Sequence, residues 1–217
     1  MKYIGQPDYQ HDSPEKLGVL MVNLGTPDAP ETPAVRRYLA QFLSDPRIIE
    51  LPRWLWRMIL HGVILRVRPK RSAEAYRSVW DDETGSPLMS ISLRQRDALQ
   101  AELQRRHGTD VVVALGMRYG SPSVDTALAE LEKHNARRVV VLPMYPQYSG
   151  TTTASVFDEV TGRLQRTRWL PELRFINQYV DETGYINALA DSVRQSWQEH
   201  GRSDLLVTSY HLSLIHI

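Results

Sequence analysis

Five short apolar runs limit what this chain can fold into: Leu17–Leu24 (LGVLMVNL), Val111–Leu115, Arg138–Met144, Leu173–Ile176 and Leu205–Tyr210. They are continuous rather than alternating, the pattern of strands buried on both faces. Helix signals lie between them. Thr32 followed by Pro33 predicts an N-cap and first helical position, with the helix running to about Leu43 and closed by Asp45-Pro46. Ser86-Pro87 opens a long amphipathic helix that ends at Gly108. Ser121-Pro122 opens the next, with Val124, Leu128 and Leu131 along one face. Another runs from about Ala154 to Thr167, and Ile186, Leu189, Val193 and Trp197 mark a stripe on a last helix that stops at Gly201. Strands alternating with helices predict a doubly wound α/β fold, a parallel Rossmann-like sheet with helices on both faces. The last strand has no following helix to cover it, so the fold reads as C-terminally truncated. Residues 1–16 are polar and contain Pro, and are expected to form a loose arm.

Composition excludes several functions. The 217 residues carry a formal net charge of +1 and no cysteine. Nucleic-acid binding would need a clustered basic footprint. Without cysteine there is no disulfide, zinc–thiolate site or Fe–S cluster in this stretch. No signal-peptide h-region and no apolar run of ~18 residues is present. A cytoplasmic protein is expected.

The chemistry gathers after the third strand. The sequence VVVLPMYPQYSGTTTAS at 139–155 stops a buried strand at Pro143 and follows it with Tyr145, Gln147, Tyr148 and a hydroxyl-rich turn. Open α/β sheets bind ligands at the carboxyl ends of their strands, so an enzyme pocket is expected there. The hydroxyls of Ser149–Ser155 lack the glycines of a phosphate loop and read better as caps for the next helix.

Six motifs then carry a resemblance: NLGTPDAP at 23–30, QFLSDPR at 41–47, GSPL at 85–88, MRYGSPS at 117–123, LPMYPQYSGTT at 142–152 and DLLVTSYH at 204–211. Together, and in this order, the chain resembles the ferrochelatases of proteobacteria, which insert Fe²⁺ into protoporphyrin IX to make protohaem. The resemblance implies a haem-biosynthetic lyase with iron as substrate and no organic cofactor. It divides the chain into a loose arm at 1–16, an N-terminal α/β domain at 17–203, and residues 204–211, the first strand of an incomplete second half. The family's glutamate opposite the histidine lies in that half, so the fragment alone is expected to be inactive. LSLIHI at 212–217 fits no family pattern and is expected to be a non-native tail.

By resemblance, His211 is the catalytic histidine. Metallation removes two pyrrole protons and delivers a desolvated metal ion. An imidazole, with an ordinary pKa of about 6.5, suits the proton step, and His211 is also assigned to the metal. One imidazole is too few ligands for Fe²⁺ by itself. The porphyrin is a flat apolar disc with carboxylates on one edge, so it needs apolar walls and rim donors. The family match assigns its contacts to Leu24, Arg68, Tyr76 and Ser86, with Arg118, Tyr119, Gln147 and Tyr148 around the pocket. Ser86 also reads as a helix cap, and Arg118 either as a partner for a substrate carboxylate or for a scaffold acid.

Residues 51–68 mix Trp54, Trp56, Met58, Val63 and Ile64 with Arg53, Arg57, Arg66 and Arg68. Three readings stay open: a lip through which porphyrin enters, a core helix with snorkelling arginines, and a peripheral membrane contact. Other functions also remain: a non-catalytic tetrapyrrole-binding fragment, a cobalt chelatase, and a phosphate- or nucleotide-binding α/β enzyme.

Overall fold

The computed structural model describes residues 3–6 and 9–208. Its centre is a parallel sheet of four strands, β1 (Lys16–Asn23), β2 (Val111–Met117), β3 (Ala136–Pro143) and β4 (Glu172–Phe175), in the order β2-β1-β3-β4. The helices are α1 (Thr32–Ser44), α2 (Arg53–Ile59), α3 (Leu65–Arg77), α4 (Pro87–His107), α5 (Val124–Lys133), α6 (Thr153–Leu164) and α7 (Thr183–His200). The strand pleat sends successive side chains to opposite faces. Leu20, Val22, Ala114, Val139 and Val141 meet Leu128 and Leu131 of α5 and Val156 and Val160 of α6. On the other face Val19, Met21, Val113, Leu115 and Met117 meet Met89, Leu93, Leu99 and Leu103 of α4. Both faces are thus covered, as the apolar runs predict, and each buried Leu or Val contributes about 1.5–3 kcal/mol.

A third cluster joins α1, α2 and α3 beside the carboxyl edge of the sheet, around Val35, Tyr38, Leu39, Trp56, Leu60, Leu65 and Ala73. A π-helical turn, Leu60–Ile64, joins α2 to α3. The buried positions of this stretch run Trp56, Leu60, Leu65, Pro69, Ala73, and the exposed apolar positions run Trp54, Met58, Val63, Val67. Both series take one step of five residues, and it falls at the π turn. That wider turn keeps each stripe in phase along the helical stretch.

Several expectations change. Glu31, not Thr32, is the N-cap of α1, with Pro33 inside the first turn. Ser121-Pro122 is a cis turn rather than a helix start; α5 begins two residues later, capped by Ser123, whose hydroxyl accepts from the Thr126 N–H. The arm is not loose where it is described. Ile4 bridges Thr167, and the Arg137 guanidinium lies over the Trp169 ring (3.5 Å) and against Tyr9 (4.8 Å), which itself packs edge-on to Trp169, while donating to Gln6. The stripe on α7 buries nothing, with Ile186 and Leu189 exposed. The expected fifth strand is absent over residues 205–208, where Leu205, Leu206 and Val207 are exposed and unpaired. Tyr210 and His211, like the tail at 212–217, lie outside the described residues.

Candidate active site

The carboxyl ends of β1 and β2 are stitched into one platform. The Arg118 and Tyr119 N–H groups donate to the carbonyls of Asn23 and Leu24, and the Met144 N–H donates to Val22. Leu24 therefore leaves β1 held between its neighbours, half-buried against the α1–α3 cluster. Tyr38, Tyr76, Tyr119 and Phe42 form an aromatic group within that cluster. Tyr38 meets the rings of Tyr76 and Tyr119 edge-on at 6.2 and 6.5 Å, and Phe42 meets Tyr119 at 5.1 Å. Burial, seconded by its tyrosine neighbours, pushes the Tyr38 phenol far above its ordinary value, so it stays a neutral donor to the Gly25 carbonyl at 3.2 Å. Burial also raises Tyr76, partly offset by the neighbouring Tyr38 hydroxyl and the nearby Arg68 charge.

Asp45, the C-cap of α1, is buried behind this wall. One carboxylate oxygen accepts from Arg118 Nη2 (2.5 Å), the Tyr119 hydroxyl (2.7 Å) and Ser155 Oγ (2.5 Å), and the other from the Arg47 N–H (2.7 Å). Burial alone would raise the Asp45 carboxyl. The hydrogen bonds from Ser155, Tyr119 and Arg47, with the Arg118 charge, outweigh it and hold the group below its ordinary value. Arg118 also donates through Nε to the Ser155 carbonyl (3.0 Å) and hydroxyl (2.7 Å), and Nη1 lies 2.9 Å from Glu159. Of the two readings of Arg118, the scaffold acid is the one the geometry displays. Tyr145 is half-buried nearby, its phenol raised by desolvation and its buried hydroxyl without a hydrogen-bond partner among the described residues.

The structure brings Leu24, Tyr76 and Tyr119 together, puts Arg68 within electrostatic reach of Tyr76, and joins Arg118 to Tyr119 through Asp45. Ser86 is buried at the start of α4 as its N-cap, though its hydroxyl makes no cap hydrogen bond. Gln147 and Tyr148 are half-buried in the loop after β3, with Tyr148 close to Arg47. His211 lies outside the described residues. The hydroxyl cluster does not cap α6 through side chains: Ser149 accepts from the Thr151 N–H and Ser155 serves Asp45. That spends groups a phosphate would need. Among the described residues no three His, Asp or Glu gather as a metal site, and no helix is long and apolar enough to cross a membrane.

Sequence reasoning missed Asp45, Ser155 and Tyr38. Asp45 read only as a helix stop before Pro46, although the QFLSDPR motif containing it was already one of the six that carried the resemblance.

The family model for ferrochelatase matches residues 16–215. The chain belongs to the ferrochelatase family. It is 52% identical to the ferrochelatase of Marinobacter nauticus and 54% identical to that of Nitrosococcus oceani, each over 211 residues. The ferrochelatase of Teredinibacter turnerae is 53% identical over the same length. These alignments cover 97% of this chain and 57% of each relative, so the chain spans little more than half the length of the ferrochelatases it matches. The family membership agrees with the parallel α/β sheet and places the aromatic platform in a chain whose relatives are named for a chelatase reaction.

Proposed function

We propose that this chain is the porphyrin-binding N-terminal portion of a cytoplasmic enzyme that inserts Fe²⁺ into protoporphyrin IX in haem synthesis. The observation that carries this reading is the half-buried pair Leu24 and Tyr76, backed by the buried Tyr119, at the carboxyl edge of the sheet, in a chain of the ferrochelatase family. A flat macrocycle buries large apolar area against such aliphatic and aromatic groups. Arg68, exposed at the rim beside Tyr76, is suited to a propionate, with Ser86, Gln147 and Tyr148 supplying polar contacts. His211 takes the pyrrole protons or passes on the metal; in either role its neutral imidazole is the form that acts. The exposed stripe of Trp54, Met58, Val63 and Val67, with Arg57 and Arg66, supports a porphyrin lip and a peripheral membrane contact through 51–68.

Titrating protoporphyrin IX into the purified chain tests this. Saturable Soret-band shifts that weaken in Arg68→Ala are expected. Haem formation from Fe²⁺ by this chain alone is not expected, because it spans little more than half the length of the ferrochelatases it matches. A folded chain that leaves the Soret band unchanged would reject the porphyrin reading.

A further inference from the structure

We propose that Asp45 is the positioning residue of this site: its buried carboxylate orients the Arg118 guanidinium for the ligand, directly and through the Tyr119 ring on which that guanidinium rests. This rests on the porphyrin-binding reading and adds to it a residue that itself touches no substrate. The Asp45 side chain is 2% exposed, so it acts only through its partners. Those partners come from three places in the chain: Arg118 and Tyr119 after β2, Ser155 in α6, and Arg47 after α1.

An arginine has five N–H donors in a rigid plane. Three of those on Arg118 meet Ser155, Asp45 and Glu159, and the other two have no partner among the described residues. The guanidinium is thus clamped on two edges, with 13% of its side chain still exposed. Glu159 is 39% exposed and solvated, which leaves Asp45 as the desolvated half of the clamp. The same Asp45 oxygen receives the Tyr119 hydroxyl, and the Arg118 guanidinium lies 4.6 Å from the Tyr119 ring centre. The Arg118 guanidinium, still partly exposed, and the buried Tyr119 ring beneath it therefore take their orientation from one carboxylate. An amide at position 45 keeps the shape but loses the charge and turns one acceptor into a donor.

The test is a double-mutant cycle on protoporphyrin affinity, with side-chain NMR of Arg118. Asp45→Asn is expected to weaken porphyrin about tenfold, the scale of a lost charge-assisted hydrogen bond, and to change little further in an Arg118→Ala background. In the ligand-free chain the Arg118 Nη2–H that meets Asp45 is expected to be protected from exchange at neutral pH. It should lose protection on acidification below the ordinary carboxylate range, and be unprotected throughout in Asp45→Asn. A purely structural role would not couple this signal to the carboxylate. Unchanged affinity in Asp45→Asn, additive effects in the cycle, or equal exchange in both proteins would overturn the proposal. If Asp45→Asn fails to fold by circular dichroism, Ser155→Ala takes its place in the same cycle. Failure of the wild-type chain to bind porphyrin, with Arg118 still protected through Asp45, would reject the porphyrin reading while leaving the orienting role standing.

Discussion

The Cα of Gly25 faces the carbonyl of Tyr119 so closely that a Cβ there would stand 1.7 Å from the Tyr119 oxygen. Gly25 also has φ +103°, a conformation side chains disfavour. The loop after β1 and the loop after β2 are therefore in backbone contact, and this contact sets Leu24 beside Tyr119. Gly25→Ala is expected to destabilise the chain by more than about 2 kcal/mol, from strain and forced loop separation together. Urea denaturation monitored by circular dichroism measures it; a loss under about 0.5 kcal/mol would mean that the loops part easily.

Gly162 in α6 provides the contrast. A Cβ there meets nothing within 4 Å, and the residue sits inside a helix. Gly162→Ala should stabilise the chain by about 0.5–1 kcal/mol through helix propensity alone. The same denaturation curves report it as a raised midpoint with unchanged slope.

Asp45 makes stability depend on pH. Its carboxyl is depressed in the folded state relative to the unfolded chain. Its contribution is therefore fully present above the unfolded value of about 3.9 and is lost as pH falls through the lower folded value. The stability gap between wild type and Asp45→Asn should be constant at neutral pH and close only in strong acid. A gap that closes between pH 5 and 7 would assign the ionisation elsewhere.

Arg137 staples the arm. It is buried against the Trp169 and Tyr9 rings and bonded to Gln6. Arg137→Ala should cost about 1–3 kcal/mol and make residues 3–15 the first site of limited proteolysis. An arm cut at the wild-type rate would show that the Ile4–Thr167 bridge and the Asn135 hydrogen bonds to Ser13 and Pro14 hold it without Arg137.

Trp56 ties the segment after α1 to the third cluster. Its indole N–H donates to the Leu43 carbonyl at 2.7 Å from a buried position. Trp56→Phe should cost about 1–3 kcal/mol, most of it the unsatisfied carbonyl, as read from the thermal midpoint.

Much of the fold was legible in the sequence. The runs at 17–24, 111–115, 138–144 and 173–176 fall on the four strands within a few residues, because two covered faces demand unbroken apolar stretches. Ser86-Pro87 marks the start of α4 and Gly108 its end. Ser121-Pro122 misled because Ser123 competes as cap two residues on. Residues 205–208 carry a strand pattern without a sheet neighbour, and β propensity depends on the surface a strand pairs with.

Periodicity, turn chemistry and motifs are written locally, so the alternation of strands and helices and the family could be read from the sequence alone. Only the tertiary structure decided what Arg118 and Tyr119 do with their polar atoms. Their common partner Asp45 lies 73 and 74 residues away, and Ser155 lies 110 residues from it. The parallel order β2-β1-β3 brings these positions to one edge of the sheet. There, out of water, a carboxylate must collect its hydrogen bonds from whichever chain segments the crossovers deliver.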